Sequence, residues 1–333
     1  MKKVLNYVVL ALVTILVLFF SLKDNYKEII DTLFKMDIKW LVVGLLCVVA
    51  YWFLKTIPLY YFTKSHKKDF KYSSAVILLL RTQFVNAITP FATGGQPYQV
   101  YYLNKEGVRS STSTSIILEN FIVYQIALVF LGIVAMMCNF FFHIFPHNDI
   151  LTHLITLGFV INTVVIIVSF IVAFGKKISK KIINFGINIL SKLRIVKDKE
   201  AKLEKWNESI TNFHKSAKVL MNDKKLFFSM IFVNLVALSI LYIIPVFVLY
   251  AAGNFNSVNV GLAIIASAYV MLIGSFVPIP GGTGGLEYGF IKFYGFFIQG
   301  SLLSATMLIW RFITYYFGLI VGAVAFNVKR GKK

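Results

Sequence analysis

The chain has 333 residues, of which 58% are hydrophobic, 16% aromatic and only 14% charged, and its formal net charge is +20. Its apolar runs are longer than a core helix of a soluble domain needs, which specifies a polytopic membrane protein and excludes a soluble globular domain as the bulk of the molecule. The positive charge follows the loops, as membrane orientation requires, and does not point to nucleic acid.

The first apolar run, 4–22, follows Lys2 and Lys3, and "LVLFFSLKDN" lacks a small-x-small cleavage pattern, so it reads as a retained anchor. Further spans are predicted near 40–62, 114–140, 150–174, 226–252 and 301–327. Each is long enough for a hydrocarbon core about 30 Å thick. Cys47 and Cys138 fall inside such runs and read as small core residues. With the N-terminus placed in the cytoplasm, 26 of the 34 Lys and Arg residues fall on the cytoplasmic side, 14 of them in 176–225. The positive-inside rule therefore puts both termini, including the basic tail 328–333, in the cytoplasm.

Two other apolar regions, 72–104 and 258–300, are interrupted by the related phrases "ITPFATGGQPYQVYYLNKEG" and "VPIPGGTGGLEYG". Pro90, Thr93, Gly94, Gly95 and Tyr98 stand opposite Pro280, Thr283, Gly284, Gly285 and Tyr288 at one constant offset. If 72–90 crossed fully, every later loop would invert, so a hairpin that enters from the cytoplasm and returns there is expected. Region 258–300 admits either a hairpin or two thin spans, and its short second arm favours the hairpin. The expected architecture is all-α: an inverted repeat of three spans and one re-entrant hairpin in each half, 1–140 and 150–327. Broken helices leave backbone groups that lipid cannot satisfy, so the tips must face protein or a wet cavity; the competing reading is a pair of packing kinks. Gly94 and Gly95, and Gly281, Gly282, Gly284 and Gly285, would admit a ligand close to the backbone.

Six charged residues lie at apparent membrane depth: Lys55, Arg81, Glu119, Glu287, Lys292 and Arg311. The surplus of positive charge suits an anionic headgroup, with Arg81 or Arg311 offering a planar fork. Arg81, Gln83 and Asn86 lead toward the first tip, where Gln96 and Tyr98 follow the Gly pair, and are expected to line a cavity. A Glu119–Arg311 pair is the expected interhelical bond, and Lys55 and Lys292 are expected to snorkel. Glu287 is either a proton or cation site for coupling or a cap of the following half-helix. In 176–225, Leu203, Trp206, Ile210, Phe213, Ala217 and Leu220 form one helical stripe, read as a bracket on the cytoplasmic leaflet or a self-packed hairpin. His143, His147 and His153 lack a completing ligand set, and neither a metal nor a cofactor is expected.

At these phrases, and at "LIWRFITYYFGLIVG", the chain resembles the transmembrane, flippase-like domain of the lysylphosphatidylglycerol synthase family, the membrane half of multiple peptide resistance factor. The resemblance implies an integral protein of the bacterial cell membrane that moves phospholipids or lipid-linked glycans between leaflets. In that family it is tied to lysylphosphatidylglycerol and resistance to cationic antimicrobial peptides. Gln96 stands where many relatives carry an acidic residue, and the acyltransferase-like domain of bifunctional relatives has no counterpart before Lys333, so no enzymatic activity is expected. The expected partners are membrane lipids with anionic or aminoacylated headgroups and a separate lipid-modifying enzyme. The competing functions are an ion-coupled small-solute transporter and a membrane component of lysylphosphatidylglycerol synthesis.

Overall fold

The computed structural model describes residues 26–178, 181, 207–217 and 223–327, and every regular element among them is helical. The expected first span, most of 176–225 and the basic tail lie outside the described residues. Helix α1 (Tyr26–Phe34) is followed by α2 (Ile38–Lys64), α3 (Tyr72–Ala87), a 3₁₀ turn (Pro90–Ala92) and α4 (Gly95–Lys105). Then come α5 (Ser110–Phe142), α6 (Asp149–Phe174), α7 (Lys224–Tyr242), α8 (Ile244–Ala251) and α9 (Val260–Gly274). A second 3₁₀ turn (Pro280–Gly282), α10 (Gly285–Tyr294), α11 (Gly300–Arg311), a π turn (Phe312–Tyr316) and α12 (Phe317–Asn327) follow.

Ile38–Lys64, Ser110–Phe142, Asp149–Phe174, Lys224–Ala251 and Gly300–Asn327 are long and apolar enough to cross a membrane. The protein is thus an all-helical, multi-pass membrane protein. Several helices start where a side chain satisfies an orphan backbone N–H. Asp37 accepts from Lys39 N at 2.9 Å, Asn148 from Leu151 N at 3.1 Å, Asp223 from Leu226 N at 2.9 Å and Asn259 from Leu262 N at 2.9 Å. Two expected spans are not continuous α-helix. Pro245 offers no N–H, so the chain is broken at Ile243 between α7 and α8, and the last span contains the π turn.

Small residues let helices approach closely. A Cβ on Gly322 would lie 2.6 Å from Leu80 O and 2.8 Å from Phe84 N, which seats α12 directly on α3; Gly158 likewise meets the Leu272 carbonyl. Phe140, Ile167, Val168, Phe232 and Val324 point outward, as lipid-facing side chains do. In the described part of the basic stripe, 207–217 is helical, Ile210 and Ala217 are buried, and His214 Nδ1 lies 2.8 Å from Ala173 O. Ser216 also bonds Thr112 at 3.2 Å, so this stretch packs on the ends of the membrane helices; Leu203, Trp206 and Leu220 of the stripe lie outside the described residues.

Candidate functional site

Each repeated phrase builds the same helix, 3₁₀ turn and helix, with α3 packed on α4 and α9 on α10. In both, the threonine hydroxyl returns to the proline carbonyl at 2.9 Å, Thr93 to Pro90 and Thr283 to Pro280. Both turns also hold two successive residues at positive φ, Phe91 (52°) and Ala92 (53°) in the first, Gly281 (69°) and Gly282 (64°) in the second. The two turns pack against each other, so the broken helices meet inside the protein.

Their freed backbone groups are largely satisfied by side chains. In the first tip Thr89 Oγ1 accepts from Gly94 N and Asn86 Oδ1 from Gly95 N, each at 3.0 Å. The Tyr315 hydroxyl, from the π turn, donates to Ala87 O at 2.9 Å. In the second tip Glu287 Oε2 accepts from Gly284 N at 2.7 Å, and its other oxygen pairs with Arg311 Nε at 2.6 Å. Arg311 Nη2 donates to Gly281 O at 3.2 Å and Thr283 Oγ1 at 3.3 Å, and the guanidinium lies 4.7 Å from the Tyr315 ring.

Beside the tips lies a cavity of about 790 Å³. Of the residues expected from sequence, it brings together Gln83, Asn86, Thr93, Gln96, Gly281 and Gly282. The amides of Gln99, Asn120, Gln125 and Asn162, the hydroxyl-bearing Thr82, Tyr124, Ser275 and Tyr315, and Lys55 join them. Gln125 Nε2 donates to Asn162 Oδ1 at 3.1 Å and Asn162 Nδ2 to Ser275 Oγ at 2.6 Å, linking α5, α6 and the end of α9 across the wall. Gln99, Asn120, Gln125 and Asn162 carry the same signal in sequence as Gln83 and Asn86, an amide at membrane depth.

Several expectations are corrected. Arg81 does not line this cavity: its Nε donates to Ala325 O at 2.9 Å and its head sits between Tyr102 and Phe326, in a separate cleft of about 280 Å³ with Tyr98, Tyr101 and Lys105. The Glu119–Arg311 pair does not form. Arg311 is taken by Glu287, and Glu119, 4% exposed, accepts from Ser115 Oγ one helical turn earlier at 2.7 Å. Lys55 does not snorkel to an interface: its Nζ bonds Tyr51 Oη at 2.9 Å and sits 4.2 Å from the Tyr124 ring centre on the cavity wall. Of the two readings of Glu287, the cap is the one formed. Lys292 remains exposed, over the half-exposed Tyr288 at 5.6 Å. Gly95 and Gly285 are not in the wall; they admit the Asn86 and Val277 side chains against the turns. Among the described residues no three His, Cys, Asp or Glu side chains converge on a metal-sized site.

The chain is similar to a UPF0104 membrane protein of Archaeoglobus fulgidus, with 25% identity over 298 residues that cover 86% of this chain and 85% of the relative. It also matches, over residues 6–322, the family described as the lysylphosphatidylglycerol synthase TM region. The chain with these two broken-helix tips beside a polar cavity belongs to the lysylphosphatidylglycerol synthase transmembrane-region family.

Proposed function

We propose that the protein is a lipid translocator of the bacterial cell membrane, which passes a phospholipid or glycolipid headgroup through the central cavity while the tails stay in lipid. The observation that carries this reading is the cavity itself. Its volume of about 790 Å³ falls in the range of about 300–1,000 Å³ typical of small-molecule sites, and it is lined by carboxamides and hydroxyls among membrane helices. Such polar groups at membrane depth are expensive unless they face a cavity with work to do. The matched tips support an inverted repeat of two halves that rock about this site, with both termini cytoplasmic as the basic loops require. Of the two carboxylates that an ion-coupled solute transporter would use, Glu287 and Glu119, Glu287 is engaged as a structural group, held by Arg311 and by the Gly284 N–H.

The test is leaflet exchange of labelled lipids in sealed proteoliposomes, comparing the protein with Gln83→Leu. Gln83 faces the cavity, and leucine keeps the bulk while removing the carboxamide. Exchange should fall at least about tenfold, the equivalent of roughly 1.4 kcal/mol, with an unchanged melting profile. Equal exchange by the folded variant would refute the assigned path.

A further inference from the structure

Among the described residues that line the cavity, Lys55 is the charged one; no aspartate or glutamate shares the wall. Its ammonium is held by neutral groups, the Tyr51 hydroxyl and the face of Tyr124, and none of the described ion pairs includes it. The ammonium lies 5.3 Å from the centre of the Tyr51 ring and 4.2 Å from that of Tyr124, so the two rings seat it. One Tyr51 bond leaves donor capacity on an ammonium that has three N–H groups, and a lysine at membrane depth calls for a counter-charge. Around it, Gln83, Gln96, Asn120 and Gln125 bring carboxamides, each both donor and acceptor, to the same cavity.

This arrangement selects among headgroups. A phosphodiester brings the one negative charge that Lys55 lacks, and the hydroxyls of a glycerol or sugar match the carboxamides. An aminoacylated headgroup such as a lysyl ester adds two ammonium groups, for which the wall has a like charge and no carboxylate. We infer that, within the translocator reading on which this rests, the cavity takes a lipid with a singly anionic phosphodiester and a neutral polyol headgroup, anchored by Lys55, and discriminates against the lysylated form.

The experiment measures equilibrium binding by the full-length protein in nanodiscs of neutral lipid. Phosphatidylglycerol, lysylphosphatidylglycerol, an uncharged diglucosyl diacylglycerol and soluble glycerophosphoglycerol serve as probes, against the native chain, Lys55→Met and Lys55→Arg. The native protein should bind phosphatidylglycerol at least about tenfold more tightly than its lysylated form. Lys55→Met should weaken phosphatidylglycerol by at least about tenfold and leave the uncharged glycolipid unchanged, and Lys55→Arg should restore most of the loss. An unchanged melting profile shows that Lys55→Met has kept its fold. Equal or tighter binding of lysylphosphatidylglycerol, or indifference of phosphatidylglycerol to Lys55→Met, would overturn the inference, and equally tight binding of the soluble headgroup would overturn its assignment to a lipid. Leaflet exchange on the same preparations separates the two claims. Exchange that favours the lysylated lipid sinks the headgroup inference and keeps translocation, whereas Lys55-dependent binding without any exchange sinks translocation and keeps the inference.

Discussion

Arg311 and Glu287 are both buried, and together they staple the second tip: one carboxylate oxygen caps Gly284 while the other holds the guanidinium that reaches Gly281 and Thr283. Removing one partner of a buried pair strands the other charge, which costs roughly 3–5 kcal/mol. Arg311→Met should therefore lower the melting temperature in detergent sharply. Glu287→Gln added to it should recover part of the loss, because the amide oxygen still accepts from Gly284 and no bare charge is left; no recovery would mean that the staple acts through packing alone. At this scale the sequence showed which charges sit at membrane depth but not which ones pair. Glu119 and Arg311 were matched by sign, whereas Ser115, four residues before Glu119 on the same helical face, already supplies a local partner. Arg81 stands beside Gln83 and Asn86 in sequence, and that neighbourhood carries no signature of the Ala325 carbonyl that draws its guanidinium into a separate cleft.

At the scale of the element, the repeated phrase made both tips legible, because Pro and Gly at matched spacing break helices in matched ways. What it concealed is that Phe91 and Ala92 adopt the positive φ that the second tip gives to Gly281 and Gly282. A side chain in that left-handed region is strained by about 1–2 kcal/mol. Ala92→Gly should thus stabilise the protein by up to about 1 kcal/mol, the relief being offset in part by the freer unfolded chain. Gly282→Ala should do the reverse, since φ is +64° and the new Cβ would sit 3.2 Å from both Gly274 O and Leu286 Cδ1. Thermal unfolding of the two variants checks the opposite signs. The break at Ile243 and the π turn at Phe312–Tyr316 were hidden within apolar runs, where periodicity is the same for a continuous helix and an interrupted one.

Over the whole molecule, composition made the membrane class plain, and the long apolar runs located five of the spans closely. The cavity was legible only in part, through Gln83, Asn86, Thr93, Gln96, Gly281 and Gly282; the rest of its wall comes from α2, α5, α6, the end of α9, the π turn and α12, residues far apart in sequence that only packing brings together. The chain before α6 is joined to the chain after it by α7 and α8 packed on α2, α7 and α9 on α5, α12 seated on α3 through Gly322, the two 3₁₀ turns against each other, and the Tyr315–Ala87 hydrogen bond. Lys55 has a consequence at this scale. It is anchored in α2 and stays behind when a headgroup leaves, so an anionic lipid completes its crossing with its charge uncompensated, and transport by the proposed route moves current. A membrane potential acts on such a charge with about 2.3 kcal/mol per 100 mV. With the potential of sealed proteoliposomes set by a potassium gradient and valinomycin, an interior-negative voltage should speed outward exchange of phosphatidylglycerol and leave an uncharged glycolipid unaffected. The cell's own voltage would then act as a valve that favours export of acidic lipid; voltage-indifferent exchange would mean that a cation travels with the headgroup.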